Sequence, residues 1–444
     1  MKSNHQSKQE RKSYLPPNWQ LVTIRDVAVI NELSIKSDYD FETIEYIDIA
    51  SVNNGLIGET QELALSEAPS RAKRIIREND ILISCVRPNL RHYAFIKRAM
   101  PNSVASTGFA VITPKEVEAR YLYYCLITNE YTEYLTRIAE SHTSAYPAFN
   151  PDIIGNSKIP LPPVKEQQAI AHILGTLDDK IELNRRMNET LEGIARAIFK
   201  SWFIVFDPVR AKAEGRDPGL PKPIADLFPS RFIDTKLGRI PEGWRLSKMG
   251  DEFKIVMGQS PPGYTYNEEG KGSPFYQGRV DFGVRFPSRR VYCTMPTRFA
   301  EAGDTLVTVR APVGDTNIAI ERCCIGRGLA AVRHITGSSS YTYYFVKSLE
   351  TIFKLFEAEG TVFGAVNKEG LNSIACVSPP NRVIELFDNL CEPLDMKIKQ
   401  NELESRILSS LRDALLPKLI SGQIRISEPG RIIRGKKYVN AFAD

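Results

Sequence analysis

The sequence predicts an α+β protein made by internal duplication: two similar mixed α/β domains, each followed by a long helix, related by a pseudo-twofold axis. The two helices are expected to pair as an antiparallel coiled coil. Three observations predict this. A helical signature occurs twice, as "TLDDKIELN" from Thr176 and "PLDMKIKQN" from Pro393. Short β-rich runs broken by Gly, Pro and Asn precede each copy, as in "ILISCV" and "FAVIT". Apolar residues at helical spacing then follow a pair of prolines.

The duplication holds over a long register. Leu177, Asp178, Lys180, Ile181 and Asn184 fall on Leu394, Asp395, Lys397, Ile398 and Asn401, at one offset (394 − 177 = 217). That offset also carries Asn150 onto Asn367, Ile154 onto Leu371, and Pro162 and Pro163 onto Pro379 and Pro380. Earlier segments pair at other offsets, as loops of unequal length require. "LPPNWQL" from Leu15 resembles "IPEGWRL" from Ile240, and "NDILIS" from Asn79 resembles "GDTLVT" from Gly303. "GFAVI" from Gly108 parallels "GLAAV" from Gly328, and "YLYYCL" from Tyr121 parallels "YTYYFV" from Tyr341. A period this long means two domain-sized copies and excludes a short-repeat solenoid.

In chain order, the elements are as follows. Residues 1–14 form a charged N-terminal extension, and residues 15–163 form the first mixed domain, with a helical stretch around "EARYLYYCLITNEYTEYLTRIAE". Residues 164–206 form the first long helix, which has no proline until Pro208, and residues 207–239 form a linker. Residues 240–380 repeat the domain, residues 381–422 repeat the helix, and residues 423–444 are a tail.

Written as heptads, the first helix places Ile170, Leu174, Leu177, Ile181, Asn184, Leu191 and Ile198 on one seam. The second places Phe387, Leu394, Ile398, Asn401, Leu408 and Leu415 there, with Arg412 at the position that Ala195 holds in the first. Two amphipathic helices packed each on its own domain are the alternative. Their length and the asparagine at one shared seam position favour pairing, since a seam asparagine costs stability unless a polar partner meets it and fixes register. Forty residues at roughly 1.5 Å each give a spacer of at most ~60 Å between two similar heads, which suits a ligand with two separated sites, such as bipartite DNA.

Composition sets the outer bounds. The 444 residues are 42% hydrophobic and 25% charged, which is ordinary globular protein with room for more than one core. "WFIVF" at Trp202 is too short to span a bilayer, and the basic start lacks the apolar core of a signal peptide, so a cytoplasmic protein with no membrane partner is expected. Seven cysteines without CxxC spacing read as reduced, mostly buried thiols. The net charge of +5 permits nucleic-acid binding without demanding it.

The heads carry the side chains that DNA recognition uses. In the first, Arg71, Lys73, Arg74 and Arg77 cluster in "SRAKRIIRE", and Arg87, Asn89, Arg91 and His92 follow in "VRPNLRHY". The second holds Gln277, Arg279, Arg285, Arg289 and Arg290, then Arg310 and Arg327. Arginine, asparagine and glutamine read guanine and adenine edges, and clustered charge neutralises phosphate; each single residue has a plain alternative as a solvated surface charge. The tyrosines of "YLYYCL" and "YTYYFV" are assigned to the core by their helical spacing.

Catalytic motifs fail on inspection. "QSPPGYTY" has Gly263 between its prolines and Tyr264, and "NEEGKGS" lacks the first glycine of a phosphate loop. Glu269 and Lys271 form only an isolated ExK fragment. His5, His92, His142, His172 and His334 show no metal-ligand spacing, and GxSxG does not occur.

The segments "LPPVKEQQAIAHILGTLDDKIELNRRMNETLEGIARAIFKSWF" and "SPPNRVIELFDNLCEPLDMKIKQNELESRILSSLRDALLPKLISG", with "DPVRAKAEGRDPGLPKPIADLFP" and "IPEGW" between them, resemble the specificity subunit of type I restriction-modification systems. "GRGLAAVR" and "GTVFGAVN" resemble its second target-recognition domain; the first copy has "SAYPAFN", and Thr107 where the second has Arg327. The resemblance implies a subunit without catalysis or bound cofactor. It reads double-stranded DNA through two target-recognition domains and binds two methyltransferase subunits that use S-adenosylmethionine to methylate adenine. A restriction subunit, working with ATP and Mg, joins that assembly. Two other classes stay open at this point: a stand-alone DNA-binding regulator, which would not need such helices, and a structural scaffold, which would not need arginine clusters in both heads.

Overall fold

The computed structural model describes residues 15–142, 146–236, 238–359, 364–426 and 429. The N-terminal extension, most of the C-terminal tail, and parts of the "SAYPAFN" and "GTVFGAVN" segments lie outside the described residues. The described residues form two compact units, one of those up to 182 together with those from 405 onward, the other of those between 183 and 404.

In the first unit, Ile81–Ser84 is buried along its whole length and forms an inner strand, as an uninterrupted apolar run requires. It pairs antiparallel with Phe109–Pro114 and Tyr93–Phe95, and Ala28–Ile30 completes the sheet beyond Phe109–Pro114. A second sheet sets Ser103–Ser106 parallel to Thr43–Ile47, flanked by Ala72–Ile75 and Gln61–Ala64. Tyr121, Leu122, Tyr123 and Tyr124 of the helix Ala119–Leu126 are buried, and the tyrosine-rich segment is core.

Gln20–Thr23 pairs with Lys158–Leu161, with Gln20 opposite Leu161, and so brings the start of the head to the entry of the first long helix. Trp19 Nε1 then donates to Glu166 Oε2 at 3.0 Å, and Arg425 Nε donates to Glu166 Oε1 at 2.8 Å.

The second unit repeats the plan of these two sheets. Phe253–Met257, Leu329–His334, Thr305–Thr308 and Thr316–Ile318 form the antiparallel sheet in the order of the first head. The second sheet again contains one parallel pair, Ser273–Tyr276 with Cys323–Ile325, and adds Tyr266–Asn267 as a fifth strand. Tyr341, Thr342, Tyr343 and Tyr344 are buried like their counterparts.

The segment 207–239 is a folded connector. Its helix Asp207–Ala213 sends Lys212 Nζ to the carbonyls of Ala225 and Phe228 at 2.8 and 2.6 Å, and Phe228 packs edge-on against Trp202 in the second core.

The first long helix runs Val164–Phe199, widens into a π-turn at Lys200–Val205 and stops at Phe206, which is left-handed (φ 59°). The second runs Asn381–Ile420, with Pro393 exposed within it. In the first unit, Ile170 and Leu174 share a core with Leu416, Leu419 and Ile420, and Leu415 packs against it. In the second unit, Asn401 Nδ2 donates to Asn188 Oδ1 at 2.9 Å, Asn184 Nδ2 donates to Glu404 Oε2 at 2.8 Å, and Asn188 Nδ2 approaches the Ile398 carbonyl at 3.3 Å. Partner numbers fall as first-helix numbers rise, so the helices run antiparallel. Leu177, Ile181, Leu191, Ile198, Leu394 and Leu408 are half-buried. The two readings of these helices thus apply at different places: Phe199 and Phe387 sit in the second head's core, whereas the asparagines meet helix on helix.

Candidate nucleic-acid interface

Both heads end their central strand in one backbone frame. In the first, Cys85 N donates to the Gly108 carbonyl at 2.9 Å and Phe149 N donates to the Cys85 carbonyl at 3.1 Å. In the second, Val309 N donates to Gly328 at 2.9 Å and Val366 N donates to Val309 at 3.0 Å. Close approach requires Gly328, where an added Cβ would lie 2.3 Å from the Gln277 carbonyl; at Gly108 it would meet only the end of the Ile49 side chain, at 2.4 Å. The frame makes Val86 the counterpart of Arg310, so Arg87 stands one residue further along than the repeated Arg-Pro spacing implies.

On the first frame, Arg71 and Arg87 are exposed at the same strand end, because the Arg71 carbonyl accepts from Thr107 N at 2.8 Å, next to Gly108. Arg87 and Arg91 both hold positive φ (47° and 58°) around the turn Pro88–Leu90, an uncommon conformation for a side-chain-bearing residue. Arg87 stacks its guanidinium 4.8 Å from the ring centre of Tyr146, itself 69% exposed, and Asn89 is exposed beside it. Arg91 donates to Asn129 Oδ1 at 2.6 Å, and Arg74 donates to Ser34 at 3.1 Å. Arg77 pairs with Glu32, whereas Lys73 is exposed on its strand.

On the second frame, Arg310, Arg327 and Asn367 line an open groove of about 390 Å³ floored by Met257, Val309 and Phe356. The Asn367 side-chain oxygen caps a helix by accepting from Gly370 N at 2.8 Å. Gln277 is exposed beside Gly328. Arg279 pairs with Asp315 at 2.5 Å, Arg289 with Glu321 at 2.6 Å and Arg290 with the buried Asp281 at 3.1 Å. These three guanidiniums already have anionic neighbours; Arg310 and Arg327 have no ion pair among the described residues.

Arg285 corrects the sequence reading. Placed there among the DNA-contacting candidates, it is fully buried. Its Nη2 donates to Asp395 Oδ1 at 2.5 Å, its Nη1 donates to Tyr344 Oη at 3.2 Å, and its guanidinium lies 4.3 Å from the ring centre of Tyr343. Burial disfavours its charge, but the Asp395 carboxylate and the two tyrosines outweigh this and hold it above the ordinary arginine range. Sequence reasoning also missed Asp178 and Asp395 as anchors, although the signal was present in the repeated "LDDK" and "LDMK".

Nucleophilic chemistry finds little support here. Burial pushes the thiols of Cys85, Cys125, Cys323, Cys376 and Cys391 up to about 12, so they remain protonated at neutral pH. Among the described residues, no group of three His, Cys, Asp or Glu side chains could hold a metal ion, and no helix is long and apolar enough to cross a membrane.

The chain is similar to known proteins. The family described as the type I restriction modification DNA specificity domain matches residues 16–193. The type I restriction enzyme HindI specificity subunit of Haemophilus influenzae is 27% identical over 92% of this chain and 100% of its own length. A putative type I restriction enzyme MjaX specificity subunit of Methanocaldococcus jannaschii is 27% identical over 93% of this chain and 95% of its own. The crystal structure of a type I restriction-modification system S subunit from M. genitalium has this fold, with a TM-score of 0.58 at 15% identity over 91% of this chain and 96% of that one.

Proposed function

We propose that the chain is a specificity subunit of the type I restriction-modification kind, a non-catalytic class, and that it reads a bipartite DNA target, one half-site per head. Residues 15–163 and 240–380 act as the two target-recognition domains. The observation that carries this reading is the repeated backbone frame with different side chains on it: Arg71, Arg87, Tyr146 and Thr107 on one, Gln277, Arg310, Arg327 and Asn367 on the other. A shared set of backbone hydrogen bonds gives both heads one mode of approach to the duplex. Different side chains give them different bases, since arginine and asparagine select guanine and adenine edges.

The helices at 164–206 and 381–422 act as the element that spaces the half-sites and docks two methyltransferase subunits. Each long helix contributes residues to both units, which supports the spacing role. On the second helix, Met396, Leu403, Ile407 and Leu411 are exposed along one face, the kind of apolar stripe that a partner helix covers. In this assembly the chain holds no cofactor: S-adenosylmethionine belongs to the methyltransferase, and ATP and Mg belong to a restriction subunit. It acts in the cytoplasm, where the DNA is.

Co-purification with a methyltransferase, followed by mapping of methylated adenines, tests the reading. It predicts a two-part motif that appears only when this chain is present. A lone chain that binds DNA and recruits no methyltransferase would instead identify a regulator.

A further inference from the structure

We propose that Arg285 is the positioning residue that seats the second head on its helix, and that it replaces an arginine which the first head receives from the opposing helix. The repeat makes Asp178 and Asp395 one position (395 − 178 = 217). Each accepts a hydrogen bond from the corresponding tyrosine of its head, Tyr124 Oη at 2.6 Å and Tyr344 Oη at 3.4 Å. The cation differs in origin. Asp178 receives Arg412 Nη1 at 2.8 Å, from the second long helix. Asp395 receives Arg285 Nη2 at 2.5 Å, from a loop of the head itself.

The repeat also says what is missing. Ala195 stands where Arg412 stands in the other copy (412 − 195 = 217), and Ala195 is fully buried in the cluster that holds Cys391 and Ile398. The first helix therefore offers no arginine to Asp395, and a mostly buried carboxylate without a cation is costly. The head supplies one. Ser340 Oγ donates to the other Asp395 oxygen at 2.5 Å, and the Arg285 carbonyl accepts from Ile318 N at 2.8 Å, tying the loop to the central sheet.

The consequence is an asymmetric rule for which heads fit which slot. A head in the first slot need bring no arginine to Asp178, because the scaffold brings Arg412 and the head's own Lys97 and Arg120 pair with the adjacent Asp179. A head in the second slot must bring its own arginine at the place of Arg285, or it sits unlocked on its helix. The inference rests on the proposed DNA-reading role only where a DNA measurement is used.

Hydrogen–deuterium exchange on the full chain reads the lock directly. Arg285→Ala is expected to speed exchange of residues 339–348 and 387–398 by at least about tenfold while residues 119–126 keep their rate; Arg412→Ala is expected to do the reverse. Arg285→Lys, which keeps a cation at the place of Arg285, is expected to retain slower exchange in residues 339–348 and 387–398 than Arg285→Ala. Unchanged exchange in Arg285→Ala, or equal acceleration in Arg285→Ala and Arg285→Lys, overturns the proposal. On DNA, Arg285→Ala should lose about tenfold discrimination against base changes in the second half-site and none in the first. Equal losses in both halves would reject the positioning role. If the unaltered chain shows no discrimination at either half, the reading under Proposed function fails and the exchange results alone decide the lock.

Discussion

In the first head, the end of the central strand carries Val86 and then Arg87, whose guanidinium lies over an exposed tyrosine; in the second, the same strand end carries Arg310 beside Arg327 in a groove. The backbone hydrogen bonds at the two places correspond one for one. A duplicated fold can thus keep its mode of approach to a ligand while changing what it selects, because strand pairing fixes the frame and leaves exposed side chains free to vary. The lock behind each head varies as well, with its arginine drawn from Arg412 in one and Arg285 in the other.

The largest way to break this comparison is through the locks. Arg285→Ala leaves Asp395 without its cation, and loss of one partner of a buried pair costs about 3–5 kcal/mol; thermal unfolding should show the second unit melting earlier. Arg412 is 24% exposed and its loss should cost less, about 1–3 kcal/mol, in the first unit. Equal shifts from the two variants would argue that burial of Arg285 contributes nothing special.

Next come the frames. Arg310→Ala and Arg327→Ala are each expected to remove about 1–3 kcal/mol of discrimination at the second half-site where the residue reads a base edge. A phosphate role would show instead as a salt slope reduced by about one per residue, with discrimination kept. Binding assays on duplexes altered in one half at a time separate these outcomes, and a loss confined to the first half would reverse the assignment of heads to half-sites.

The smallest effect is expected from Arg289→Ala and Arg290→Ala. Their partners, Glu321 and Asp281, already neutralise them, so the salt slope should fall by less than it does for Arg310 and Arg327. A full unit per residue would show that DNA displaces these pairs.

Much of the fold was legible because the repeat was long and its chemistry regular. The mixed helix-and-strand heads, the helix positions and the buried tyrosines follow from periodicity and offset, and the Asn401–Asn188 bond answers the polar requirement that a seam asparagine sets up. The site was less legible for a physical reason. Arginine is a surface residue by default, and only three-dimensional packing shows that Arg285 is enclosed by Tyr343, Tyr344 and Asp395. Likewise Arg279, Arg289 and Arg290 look like an electropositive run in sequence, yet their carboxylate partners Asp315, Glu321 and Asp281 come from other turns of the chain or from the far side of a loop. The linker 207–239 reads as a connector in sequence, and its packing through Phe228 becomes visible only against Trp202.

The most direct test of independent reading by two heads on one frame is to replace residues 15–163 with the corresponding head of a relative and sequence the methylated motif. A change in one half of the motif, with the other half unaltered, is the predicted result. New bases in both halves, or the original motif in full, would contradict it.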